Sequence, residues 1–217
     1  MGDKADTARE RARSRERSPR NPDAGLSPRG EGGRLALLVV DMINTFDFEG
    51  GSALAREAQA LVPRMLRLRA AFSAAKLPVI HCNDNFGHWR SDFHAVVERC
   101  AAPRARGARI ARRLHPDPHE YFVLKPKHSA FLATPLDLLL RSLGVRALAI
   151  TGIASDDCVL ATAFDARMRD YDVTVVADAS AAQTAARHRR AMTLLTATRS
   201  ARVLQTRALL SELAAQA

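Results

Sequence analysis

Residues 35–40 form an unbroken apolar run that stops at Asp41. A strand that alternates polar and apolar side chains covers one face only. A continuous aliphatic run suits a strand buried on both faces, as a parallel sheet between two helical layers requires. Similar short runs recur at 78–82, 121–124, 147–151 and 172–177, with a weaker one at 201–204. The intervals between them have helical texture. In 52–75 the apolar residues Leu54, Ala58, Leu61, Met65, Leu68 and Phe72 keep to one face. Further helices are predicted over 91–113 with an interruption near Pro103, over 136–143 closed by Gly144, and over 157–169, 183–198 and 207–215. Strands alternating with helices predict an α/β fold: a single domain with a mostly parallel six-stranded sheet and helices on both faces, a Rossmann-like three-layer arrangement.

The predicted domain spans 34–217. Residues 1–33 are rich in Arg, Ser, Pro, Gly and Asp and lack apolar periodicity, a composition that cannot offset the entropy of ordering, so a disordered basic tail is predicted there. That tail carries eight Lys/Arg against six Asp/Glu, so most of the net charge of +10 lies on the domain. Arginine as the default surface cation accounts for this excess, and a nucleic-acid partner is not expected. The same reading makes Arg90, Arg99, Arg104, Arg106, Arg109, Arg112 and Arg113 a solvated helix face rather than an anion trap. Apolar residues make up 47% of the chain and aromatic ones only 5%, so aliphatic side chains and alanine must fill the core. No apolar run is long enough to cross a membrane, and the N-terminus lacks the apolar segment of an export signal. Cys82, Cys100 and Cys158 are scattered, with no CxxC pair, which predicts neither a disulfide framework nor a structural zinc. Free thiols without an export signal predict a cytoplasmic location.

Ligands of open α/β sheets gather beyond the carboxyl ends of the strands. Three reactive residues fall there. Asp41 closes the first strand, Lys125 closes the third, and Cys158 follows the fourth at the start of a helix. A helix N-terminus and a nearby ammonium both favour thiolate over thiol, so a lowered Cys158 pKa is expected. Asp41 can then serve as general base. Singly, a cysteine after a strand is usually a small buried hydrophobe and an aspartate at a strand end a cap. Their coincidence on one edge of the sheet favours catalysis.

Three ordered motifs carry a family resemblance: Leu37-Leu-Val-Val-Asp41-Met-Ile-Asn-Thr-Phe46, Lys125-Pro-Lys-His-Ser-Ala-Phe131, and Thr151-Gly-Ile-Ala-Ser-Asp-Asp-Cys158-Val159, with Ala163-Phe-Asp-Ala166 and Val175-Val-Ala-Asp178-Ala trailing. They resemble the isochorismatase-like cysteine hydrolases over about residues 34 to 205. The resemblance implies that Cys158 is the nucleophile, Asp41 the base and Lys125, rather than Lys127, the stabilising cation. It implies a non-proline cis peptide between Ile153 and Ala154 that aims the Ala154 amide, with that of Cys158, at an oxyanion. It also implies a homo-oligomer. Nicotinamidases of this superfamily carry an Asp-x-His…His metal site after the second strand. Here Asp84 and His88 are available but the paired histidines are missing, so no metal or other cofactor is expected.

Phe46, Phe86 and Trp89 are expected to line an apolar substrate pocket, with core or subunit contact the equal alternative for Trp89. Asp157 is expected to load the helix N-terminus with negative charge, and His81 to be a satisfied strand-end histidine. The favoured activity is hydrolysis of an amide-type C–N bond in a small molecule such as a carbamoyl compound, amide or lactam. Vinyl-ether hydrolysis of isochorismate and a non-catalytic binding role are the alternatives. A dinucleotide-dependent oxidoreductase is excluded because the first strand runs into Asp41-Met-Ile-Asn rather than a glycine-rich turn.

Overall fold

The computed structural model describes residues 33–90 and 92–215. The expected tail, apart from Gly33, lies outside the described residues. Six strands, β1 (Arg34–Val40), β2 (Val79–Asp84), β3 (Tyr121–Lys125), β4 (Val145–Ile153), β5 (Asp172–Ala181) and β6 (Arg202–Leu204), form one sheet in the order β3-β2-β1-β4-β5-β6. Every pairing is parallel. Among the described residues, seven helices connect and flank them: α1 (Gly51–Ala74), α2 (Phe93–Ala101), α3 (Ala108–Arg113), α4 (Leu136–Ser142), α5 (Cys158–Met168), α6 (Ala185–Ala197) and α7 (Thr206–Ala215). The predicted helix over 91–113 is two helices, separated by the segment containing Pro103. Proline lacks an N–H and holds the preceding residue out of helical conformation.

The unbroken apolar texture of β1 is explained by its two neighbouring layers. Leu37 and Val39 face one cluster, built with Leu54 to Phe72 of α1, Phe93 to Cys100 of α2, Ile110 of α3 and Leu209 of α7. Ala36, Leu38 and Val40 face the other, built with Leu136 and Leu140 of α4, Val159, Ala163 and Ala166 of α5, and Leu195 of α6. The small residues of α5 let that helix lie close against the sheet.

β4 and β5 run longer than the sequence indicates, and their pairing slips between Ile150↔Val175 and Gly152↔Ser180. Gly152 sits at the slip with φ +114°. A Cβ there would come within 2.0 Å of the Val40 carbonyl oxygen. Glycine is therefore needed both for the backbone angle and for the close approach of β4 to the end of β1.

At the opposite, amino-terminal edge of the sheet, Arg69 of α1 binds Glu120, just before β3, through Nε at 2.7 Å and Nη2 at 2.5 Å. His81 Nε2 lies 3.0 Å from the same carboxylate. His81 is fully buried, and its Nδ1 has no partner among the described residues. Burial works to raise the Glu120 pKa, but the bonds to His81 and Arg69 outweigh it and hold the carboxyl at about 2. This network joins α1, β2 and β3. Because its folded pKa lies below the ordinary value near 4.5, its contribution is complete above about pH 4.5 and is lost as pH falls toward 2. We expect Glu120→Gln to cost about 2 kcal/mol at neutral pH, a modest value because the carboxylate reaches solvent at one edge. Urea unfolding of both proteins from pH 7 to pH 2 checks this: the gap should narrow below pH 4.5, and a gap constant with pH would reject it.

Candidate active site

The carboxyl ends of β1, β3 and β4 bring Asp41, Lys125 and Cys158 together. Asp41 follows β1 at φ +53°, and its amide donates to the Cys82 carbonyl at 2.9 Å. One carboxylate oxygen accepts from the Asp84 amide at 2.8 Å, and the other lies 2.8 Å from Lys125 Nζ. Lys125, the last residue of β3, is fully buried. Its ammonium also donates to the Lys127 carbonyl at 3.1 Å and lies 3.7 Å from Asp84 Oδ2 and 3.5 Å from Cys158 Sγ. A buried ammonium with two carboxylates and a carbonyl around it has its charge and its donors answered. Lys127, the rival on the same loop, enters this arrangement only through its backbone carbonyl.

Burial disfavours the Lys125 charge, but Asp41, Cys158 and Asp84 outweigh it and hold its pKa above the usual lysine range. Burial raises the Asp41 carboxyl even against the Lys125 charge, making it a stronger base than a surface carboxylate. The Cys158 result corrects the expectation from sequence. Burial, then the Asp41 charge, push the thiol above its ordinary value, and Lys125 opposes this without prevailing. The surroundings of the sulfur therefore favour the thiol over the thiolate, the reverse of what the helix terminus and the lysine suggest by themselves.

Two loops hold this geometry. After β1, the Asn83 side chain binds both Ile43 backbone groups, accepting from its N–H at 3.1 Å and donating to its carbonyl at 2.5 Å. After β3, Ser129 Oγ donates to Asp165 of α5 at 2.5 Å, and the Ala130 amide donates to Thr162 of α5 at 3.0 Å. The lysine loop is thereby fastened to the helix that Cys158 begins. Asn83, Ser129, Thr162 and Asp165 were not singled out from sequence. The signal that could have found Ser129 and Asp165 was their place inside the two motifs, at Lys125-Pro-Lys-His-Ser129 and Ala163-Phe-Asp165.

The Ile153–Ala154 peptide is cis, at the position the resemblance names. In the turn that follows, the Ser155, Asp157 and Val159 amides donate to backbone carbonyls. The amides of Ala154 and Cys158 have no acceptor among the described residues.

The pocket expectations fare differently. Phe46 has no exposed surface and packs in the α1-side cluster, so it offers nothing to a ligand in this structure. Its backbone is in the left-handed region at φ +55°. Phe86 is partly buried against the same cluster, with the Arg99 guanidinium 5.0 Å from its ring centroid. Trp89 is 77% exposed and borders an open depression with His88, Arg90 and Arg99. It is therefore not a core residue within one chain.

Asp157 does not simply sit at the head of α5: its Oδ1 lies 3.0 Å from His128 Nδ1, which is 3.8 Å from Cys158 Sγ. These three residues can present ligand atoms to a metal ion. Among the described residues, Asp84 and His88 do not join a third ligand in this way.

Comparison with known proteins gives consistent matches. A family model described as an isochorismatase domain matches residues 35–208. The isochorismatase-family protein YaaI of Bacillus subtilis is 40% identical over 160 residues, which is 74% of this chain and 87% of that protein. The ureidoacrylate amidohydrolase RutB of an Enterobacter species is 31% identical over 170 residues, 67% of this chain and 74% of that one. Among solved structures, N-carbamoylsarcosine amidase from Thermoplasma acidophilum superposes with a TM-score of 0.61 at 27% identity, covering 80% of this chain and 96% of its own.

Among the described residues, Lys125, with Nζ 3.5 Å from the sulfur, is the cation that offsets the Asp41 charge there. We expect Lys125→Met to move Cys158 alkylation to higher pH, because removing a positive neighbour raises a thiol pKa. The rate of iodoacetamide labelling against pH, followed by peptide mass mapping, reads this out. An unmoved profile would return the role to Lys127.

Proposed function

The chain belongs to the isochorismatase family, and from that premise we propose that it is a cysteine hydrolase that cleaves an amide-type C–N bond of a small molecule through a thioester on Cys158. The observation that carries this reading is the contact of the Cys158 sulfur, 3.5 Å from Lys125 Nζ, which is itself 2.8 Å from the Asp41 carboxylate.

Asp41, a base strengthened by burial, takes the Cys158 proton as sulfur attacks the carbonyl carbon. Proton transfer in concert with attack suits a thiol whose pKa is raised, since no free thiolate need accumulate. The oxyanion receives the Ala154 and Cys158 amides, which are not engaged elsewhere among the described residues. Collapse of the tetrahedral intermediate breaks the C–N bond, and Asp41 returns the proton to the departing nitrogen. Asp41 then takes a proton from water, the hydroxide adds to the thioester, and the thiolate leaves and is reprotonated. Lys125 stays charged throughout, keeping Asp41 anionic when it must act as base. None of these steps calls on a cofactor.

The substrate class follows from the relatives. Two of them are named for a ureido and a carbamoyl substrate. A carbamoyl compound or small amide is therefore proposed here. No described helix is long and apolar enough to cross a membrane. The three cysteines are free, which suits a reducing cytoplasmic setting. Homo-oligomerisation, implied by the resemblance, belongs to the same proposal.

The test offers the protein a panel of N-carbamoyl compounds and small amides together with isochorismate. Ammonia, amine and product are measured, and intact mass is followed in parallel. We expect amide turnover with a transient acyl mass on Cys158, and loss of at least about a thousandfold in rate for Cys158→Ala, as when a covalent nucleophile is removed. Isochorismate turnover without an adduct, unchanged in Cys158→Ala, would assign vinyl-ether chemistry instead.

A further inference from the structure

Cys158 touches two different sets of charged groups. Toward the sheet it meets Asp41 and Lys125, which the proposed reaction uses. Toward solvent it meets His128 and Asp157, which the reaction does not use. His128 Nδ1 is within reach of both Asp157 Oδ1, at 3.0 Å, and Cys158 Sγ, at 3.8 Å. One nitrogen thus faces a carboxylate and a sulfur at once, and the three ligand atoms all lie within 4.8 Å of one another. In a tetrahedral zinc site, metal bonds of about 2.0–2.3 Å place neighbouring ligand atoms roughly 3–4 Å apart. Small side-chain rotations therefore separate the present arrangement from a three-ligand site. His128 and Asp157 are free to make them, with side chains 65% and 49% exposed.

We propose that His128, Asp157 and Cys158 form a capture site for a borderline-soft divalent cation, Zn2+, which switches the enzyme off by occupying its nucleophile. The donor set of one thiolate, one imidazole and one carboxylate favours zinc over magnesium or calcium, which take oxygen ligands. On binding, the Cys158 S–H bond breaks and its proton leaves to solvent, the S–Zn bond forms, and His128 carries its remaining proton on Nε2. The Lys125 ammonium nearby does not forbid the ion, because Asp41 at 2.8 Å and Asp84 at 3.7 Å already balance its charge. Three protein ligands leave a fourth position to water, so the site binds reversibly and is open to chelators. The inhibitory half of this proposal rests on Cys158 being the nucleophile. The binding half does not.

The test titrates Co2+, a spectroscopic stand-in for zinc, into the metal-stripped full chain and into Cys158→Ser and His128→Ala. We expect a near-ultraviolet thiolate-to-cobalt band at one ion per chain, absent in Cys158→Ser and formed with about tenfold or more weaker affinity in His128→Ala. Zinc should bleach it competitively. Because His128 is exposed, His128→Ala is expected to keep the wild-type circular dichroism. No band, or a band of equal affinity in His128→Ala, overturns the site. Hydrolysis of a carbamoyl substrate in the same samples separates the two readings. Turnover unaffected by saturating zinc overturns the switch. A band without turnover on any substrate leaves the metal site standing and counts against the hydrolase reading.

Discussion

The ion pair between Lys125 and Asp41 is the interaction on which the rest of the site depends. A lysine with no exposed surface is tolerated only where its charge and its three N–H donors are answered. Asp41 at 2.8 Å and the Lys127 carbonyl at 3.1 Å accept from it, its remaining donor faces Cys158 Sγ at 3.5 Å, and the Asp84 carboxylate at 3.7 Å adds to the charge balance; Asp41, Lys127 and Asp84 hold it in place. Those partners come from the ends of three adjacent strands, so the pair can form only when β1, β2 and β3 are in register. The same pair sets the chemistry of Cys158. Burial and then the Asp41 charge push the thiol pKa up, and Lys125 opposes them.

The strand order explains why this happens at one place. β1 pairs with β2 on one side and β4 on the other, and the chain crosses from β3 at one edge back to β4. The connections flanking β1 diverge there, opening the crevice that doubly wound sheets offer to ligands. Gly152 brings the end of β4 against Val40, one residue before Asp41, and the following turn delivers Cys158 to the crevice. The alternating faces of β1 bury Leu37 and Val39 on one side and Leu38 and Val40 on the other, which fixes where Asp41 emerges.

Much of this was legible in the sequence because it has local causes. Uninterrupted aliphatic runs marked strands, and reactive residues at the ends of those runs marked the edge where Asp41, Lys125 and Cys158 meet. What was not legible depends on long-range packing. Nothing near Arg69 in sequence indicates that it reaches Glu120, fifty-one residues on. Phe46, expected to line the pocket, is instead fully buried among residues of α1, α2 and α3 that lie far from it in sequence. The direction of the Cys158 pKa was misjudged for a similar reason. A helix terminus and a lysine are visible in sequence, but the depth of burial and the facing carboxylate are not.

The fastening of the lysine loop to α5 has a mechanical meaning. Ser129 bonds Asp165 and the Ala130 amide bonds Thr162, so the loop after β3 is riveted to the helix that begins with Cys158. Arg169 extends the rivet, binding Asp165 and laying its guanidinium 5.0 Å from the Phe131 ring centroid. These bonds tie the position of the loop to that of the helix, and so to the sulfur at its start. The sulfur and the lysine loop are thus one mechanical unit, and the seam of the site lies between that unit and the Asp41 side of the sheet.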